Sequence, residues 1–117
     1  MSGPLSGIRV VELATFVAAP VTARILADMG AEVIKVEAPT GDGWRYSGIN
    51  SASRFTKNEN PVFDIYNTGK KIISLNLKSP KGMEAFMKLI GKTRIFEITV
   101  VKSTIPAKRL IVDSTFH

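Results

Sequence analysis

The sequence predicts an α/β fold, a Rossmann-like parallel sheet with flanking helices, and three stretches near its start carry that reading. Ile8 to Ala14 (IRVVELA) is short, rich in branched apolar residues and entered from Gly7, the pattern of a strand buried on both faces. Ala18-Ala19-Pro20 then opens a helix, because the N–H that proline lacks would be unpaired in a first turn anyway. Ala31 to Glu37 (AEVIKVE) is the second strand. Strand, helix and strand in that order form a βαβ unit, which crosses over right-handed into a parallel sheet.

The remaining elements follow from spacing. Val21, Ile25, Leu26 and Met29 fall on one helical face and are expected to be its buried side, with Gly30 as the left-handed residue that ends the helix. Ala38 to Pro61, with Pro39, Gly41, Gly43 and Gly48, reads as loop. Phe63–Tyr66 and Lys71–Leu77 flank Asn67-Thr68-Gly69-Lys70, a junction that suggests a hairpin of two strands. Ser79 caps the next helix and Pro80 starts it; Met83, Phe86, Met87 and Ile90 keep the spacing of a buried face, with Glu84 and Lys88 one turn apart opposite. Arg94 to Val101 is a further strand candidate. Neither internal repeats nor a domain-splitting linker is visible.

Composition bounds the function. With 117 residues, 44% apolar and 22% charged, the chain is long enough for one small domain with a core. It has no cysteine, so disulfides, thiolate nucleophiles and thiolate metal sites are excluded, in keeping with a cytoplasmic protein. Met1 to Gly7 lacks the basic patch and apolar run of a signal peptide, and no stretch approaches the roughly 20 apolar residues of a membrane span. No membrane partner is expected. The net charge of +6 comes from basic residues dispersed along the chain without interleaved aromatics, which favours a solvated surface over a nucleic-acid footprint.

Few constellations of chemical interest stand out. Glu37 at the end of the second strand has the place of a ribose-binding acid in a dinucleotide site. The first strand, however, leads into Thr15-Phe16-Val17-Ala18-Ala19-Pro20, without the glycines that let a pyrophosphate approach, which argues against nicotinamide or flavin. Gly69-Lys70-Lys71 ends like a phosphate loop, but Asp64 stands where the partner glycine belongs; a basic hairpin turn is the better reading. The one histidine is His117, the carboxylates are scattered, and metal-ligand clusters are absent. No catalytic or metal residue is assigned. Thr40-Gly41-Asp42-Gly43-Trp44-Arg45-Tyr46 could receive an adenine ring on Trp44 and a phosphate on Arg45, or be a surface loop with a half-buried tryptophan.

Read together, several segments resemble the opening of the family III (CaiB/BaiF-type) CoA-transferases. They are Leu5-Ser6-Gly7-Ile8-Arg9-Val10-Val11-Glu12-Leu13, Ala18-Ala19-Pro20, and Asp28-Met29-Gly30-Ala31-Glu32-Val33-Ile34-Lys35-Val36-Glu37. Gly41-Asp42-Gly43-Trp44-Arg45, Glu59-Asn60-Pro61, Asn67-Thr68-Gly69-Lys70-Lys71 and Leu75-Asn76-Leu77-Lys78-Ser79 also fit. The likeness is nearest to the clostridial branch that moves CoA between 2-hydroxyacids and enoyl acids. It implies a Rossmann-like large domain, two chains interlocked as a homodimer, and CoA along the carboxyl ends of the strands, with no permanently bound cofactor. CoA thioesters and small carboxylic acids are then the substrates. By resemblance, Val17 and Ala18 match the loop that runs along CoA, and Leu75, Asn76, Leu77 and Lys78 match the stretch at the adenine end. Arg45 is a candidate phosphate partner, and Ala38 stands where formyl-CoA transferase has arginine, so that cationic contact is missing.

The family's chemistry uses an aspartate that attacks the acyl-CoA carbonyl, and a covalent carboxylate intermediate divides one hard transfer into two easier ones. Asp28, Asp42, Asp64 and Asp113 do not occupy its place, so the chain reads as a catalytically incomplete form of the enzyme. Residues 1–92 read as the amino-terminal part of the family domain and 93–117 as a divergent tail, of the kind a reading-frame slip or a truncated gene produces. A sheet built from this segment alone would expose edges and apolar helix faces, which predicts marginal stability or self-association. The alternative readings are a small non-catalytic module that binds CoA or another nucleotide, and a basic interaction module.

Overall fold

The computed structural model describes residues 3–14, 17–46 and 60–91, and the backbone of 95–99. The elements run β1 (Arg9–Ala14), α1 (Ala18–Asp28), β2 (Glu32–Glu37), α2 (Pro61–Asn67), β3 (Lys71–Ser74), α3 (Pro80–Ile90) and β4 (Ile95–Thr99). The strands form one sheet in the order β3-β2-β1-β4, and every pairing is parallel. The expected α/β class and βαβ unit are therefore present. Parts of the predicted loop over 47–59, the ends of the predicted strand Arg94–Val101, and residues 100–117 lie outside the described residues.

Alternation along the strands divides the core into two layers. Val10 and Val33 meet Ala23 and Ala31 on the α1 side, with Leu5, Ile8, Leu26 and Ala27 packed around them. Val11 and Val36 meet Phe86 on the α3 side, joined by Leu13, Leu75, Leu77, Leu89 and Ile90. Gly30 (φ +101°) ends the helical turn, as expected of a residue whose conformation disfavours a Cβ.

The helix faces differ from expectation. On α1 the buried residues are Ala19, Pro20 and Ala23, whereas Ile25 is 53% exposed and Met29 40%. Small residues let the helix lie close against Val10 and Val33, and a Leu or Ile row would hold it off. On α3, Phe86 is buried with Leu89 and Ile90 beside it, while Met83 and Met87 are exposed. Among the described residues the sheet meets that helix through Val11, Leu13 and Val36. Glu84 and Lys88 do pair, at 3.0 Å.

The predicted hairpin is not formed. Residues 61–67 are helical, and β3 pairs with β2 in parallel register, Lys35 opposite Ile72 and Val36 opposite Ile73. The aromatic and branched residues of Phe63–Tyr66 favour strand, but the ends of the segment favour helix. The Asn60 side chain accepts from the Phe63 N–H at 3.1 Å, Pro61 occupies the first turn, and Asp64 follows in it. Phe63 and Asn67, one turn apart, are then the buried pair. Gly69 (φ +86°) turns the chain from α2 into β3.

Candidate functional site

Because the strands are parallel, their carboxyl ends share one edge of the sheet, where α1 begins and the segments after β2 and β3 leave. The residues singled out from the sequence come together there. Val17 and Ala18 are the cap and first residue of α1, and Val17 supplies no side-chain cap. Ala38 follows β2 and is exposed. Leu75 prolongs the pairing of β3, its N–H donating to the Glu37 carbonyl at 2.9 Å. The side chains of Leu75 and Leu77 turn partly into the core, whereas Asn76 and Lys78 are exposed.

The turn over 75–78 is held tightly. Asn76 Oδ1 accepts from the Lys78 N–H at 3.1 Å, and its carbonyl accepts from the Ser79 N–H at 3.1 Å. Ser79 caps α3 as expected, accepting from the Gly82 N–H at 3.2 Å. A Cβ on Gly82 would lie 2.0 Å from the Asn76 carbonyl oxygen, so only glycine lets the first turn of α3 approach this backbone.

Arg45 is engaged rather than simply presented to solvent. Its Nε and Nη2 each donate to Glu37 at 2.9 Å, to Oε1 and Oε2 respectively, and its guanidinium lies 4.0 Å from the centre of the Phe63 ring. Glu37 is thus committed to a bidentate ion pair, which disposes of the ribose-binding role its position suggested. Pairing also compensates the Arg45 charge, so at this edge Lys78 is the exposed cation among the predicted residues. Trp44 donates from Nε1 to the Val62 carbonyl at 3.1 Å and tilts against Tyr66 at 5.7 Å, so its ring helps to hold the 41–46 turn on α2.

Beneath this edge is a cluster that sequence reasoning missed. Glu12 and Lys35 are cross-strand partners in the β1–β2 register and are fully buried. Lys35 Nζ meets Glu12 Oε1 at 2.8 Å, Asp42 Oδ2 at 2.9 Å and the Ala14 carbonyl at 3.1 Å. Lys70 Nζ meets Glu12 Oε2 at 2.7 Å, Asn67 Oδ1 at 2.9 Å and the Pro20 carbonyl at 2.8 Å. Each lysine donates two hydrogen bonds, Lys35 to Glu12 Oε1 and the Ala14 carbonyl and Lys70 to Asn67 Oδ1 and the Pro20 carbonyl, and faces a further carboxylate oxygen at ion-pair distance. Two carboxylates and two ammonium groups make the quartet neutral, which is what permits its burial. Burial pushes the Lys70 ammonium below the ordinary lysine value, and Glu12 opposes that shift. Lys70 is therefore not the surface lysine of a basic turn. The signal available in the sequence was one acid, Glu12, and one base, Lys35, each set between branched apolar neighbours in a buried strand.

A separate depression between α1 and α2, lined by Arg24, Asp28, Pro61, Asp64, Ile65 and Thr68, contains none of the predicted site residues. Among the described residues no group of three or more His, Cys, Asp or Glu could hold a metal ion, and no helix is long and apolar enough to cross a membrane.

Comparison with known proteins assigns the chain to a family. The model of CoA-transferase family III matches residues 5–104. The chain belongs to that family. It is 46% identical over 96 residues to (R)-2-hydroxy-4-methylpentanoate CoA-transferase of Clostridioides difficile, a match covering 82% of this chain and 24% of the relative. It is 44% identical over 90 residues to cinnamoyl-CoA:phenyllactate CoA-transferase of Clostridium sporogenes, covering 77% of this chain and 22% of the relative. Among solved structures, a CaiB/BaiF family protein from Brucella suis superposes with a TM-score of 0.74 at 34% identity, covering 82% of this chain and 25% of that one. This family III chain thus spans about a quarter of the length of the relatives it matches.

Proposed function

We propose that this family III chain provides the CoA-binding edge of a CoA-transferase that moves CoA between carboxylic acids, of the 2-hydroxyacyl and enoyl class. The observation that carries the reading is the gathering of Val17, Ala18, Ala38, Arg45, Leu75, Asn76, Leu77 and Lys78 at the carboxyl ends of three parallel strands. Ligands of open α/β sheets bind at that edge, because only there do the connecting loops diverge and leave a crevice. The first turn of α1 supplies backbone N–H groups and the positive end of its dipole, suited to an anionic ligand, and Lys78 adds an exposed charge.

CoA and its thioesters are on this reading substrates and not resident cofactors, and the complete enzyme works as an interlocked homodimer in the cytoplasm. No residue described above is assigned the acyl-transfer step. A non-catalytic nucleotide-binding or basic interaction module remains the rival, and calorimetry separates them. Titration of the chain with CoA should give saturable binding that weakens in Lys78→Ala. Saturable binding absent from the wild-type chain refutes the CoA reading, and a steep salt dependence with DNA in its place favours the interaction module.

A further inference from the structure

The buried quartet holds one carbonyl at the end of β1 and another in the first turn of α1. Lys35 donates to the carbonyl of Ala14, the last residue of β1, at 3.1 Å. Lys70 donates to the carbonyl of Pro20, in the first turn of α1, at 2.8 Å. One carboxylate joins the two clamps, with Glu12 Oε1 on Lys35 at 2.8 Å and Oε2 on Lys70 at 2.7 Å. Val17 and Ala18 lie between the gripped carbonyls. The clamp is anchored outside the connection as well, through Asp42 in the 41–46 turn and Asn67 at the end of α2.

A buried charge cluster is a poor way to add stability, since well-packed apolar residues of the same volume serve as well or better. What it adds is geometry: buried ammonium groups, each hydrogen-bonded to a backbone carbonyl and paired with a carboxylate, hold those carbonyls at fixed positions in a site with little dielectric screening. We propose that Glu12, Lys35 and Lys70 are positioning residues that fix the first turn of α1, with Val17 and Ala18, relative to the end of β1, and that CoA affinity depends on this clamp although none of the three touches CoA. The inference rests on the CoA reading above. It explains why a turn lysine buries its side chain, reaching a carbonyl 50 residues earlier in the chain.

A merely structural role and a positioning role separate in the double variant Glu12→Gln/Lys70→Met. It removes one charge of each sign, so the cluster stays neutral, but the grip on Pro20 is lost. Three readouts are taken on the full chain: thermal unfolding, CoA affinity by calorimetry, and amide hydrogen exchange of peptides across 13–24. Lys88→Met, on the solvent side of α3, is the control. The expected result is that Lys70→Met alone is strongly destabilised and that the double variant regains most of that stability. The double variant should nevertheless bind CoA at least tenfold more weakly and exchange faster across 13–24. Wild-type affinity and unchanged exchange in the double variant would overturn the proposal while leaving the CoA reading intact. Absence of CoA binding by the wild-type chain instead removes the CoA reading and, with it, the affinity claim.

Discussion

Replacing Lys35 by Met tests the quartet most directly, because the two side chains have similar length and differ chiefly in the ammonium group. Lys35 holds Glu12 at 2.8 Å and Asp42 at 2.9 Å with all three side chains inaccessible to solvent. Removing it leaves two carboxylates and one ammonium in the cluster. Stripping one partner from a buried ion pair costs about 3–5 kcal/mol, because the remaining charge keeps its desolvation penalty. A small domain has about 5–15 kcal/mol in total, so Lys35→Met should forfeit a large share of it. At about 4–8 °C of melting temperature per kcal/mol, the transition should fall by about 12–40 °C. Asp42→Asn in the same background restores neutrality, and Glu12 keeps Lys70. Urea unfolding followed by circular dichroism, in a double-mutant cycle, should therefore give a favourable coupling of about 1–3 kcal/mol between Lys35 and Asp42. Single costs that add to within about 0.5 kcal/mol, or a Lys35→Met loss under about 1 kcal/mol, would refute the account of the cluster as a mutually neutralising unit.

Two further outcomes follow from local geometry. Gly82→Ala would set its Cβ 2.0 Å from the Asn76 carbonyl oxygen, so α3 must retreat from the 75–78 turn; a loss of about 1–3 kcal/mol in urea is expected, and an unchanged midpoint would contradict the close approach. Glu32 has its carboxyl held below the ordinary 4.5, first by the hydrogen bond from Lys71 and then by that from Arg9. A depressed carboxylate contributes stability that is present above 4.5 and is lost as pH falls through the lower, folded value. Urea midpoints of the wild type between neutral and strongly acid pH should therefore fall more steeply than those of Glu32→Gln. Parallel profiles would show that these pairs at the sheet surface contribute nothing.

Much of the frame was legible because it depends on local pattern. Ile8–Ala14 and Ala31–Glu37 are short runs rich in branched apolar residues and lie either side of a helix closed by a left-handed glycine, and such a unit has essentially one way to pack. Ser79 before Pro80 was equally plain, since a cap needs only its own next turn. The segment over 61–67 was not, because its β-favouring side chains compete with a cap, and the outcome turns on whether Phe63 and Asn67 find a surface to bury against. The buried faces of α1 and α3 were misread for a related reason: periodicity gives a stripe, but the width and distance of the opposing sheet decide which part of it is covered.

The sequence by itself determined the α/β class, the βαβ order and the family. Tertiary structure alone decided the direction of β3, the commitment of Arg45 to Glu37, and the quartet of Glu12, Lys35, Asp42 and Lys70. The division has a physical cause. Strand and helix patterns are written within a few neighbouring residues, whereas a buried charge is tolerable only where partners from distant positions supply its counter-charge and hydrogen bonds. Glu12 and Lys70 stand 58 positions apart (70 − 12) yet meet at 2.7 Å, and only the folded backbone could specify that meeting.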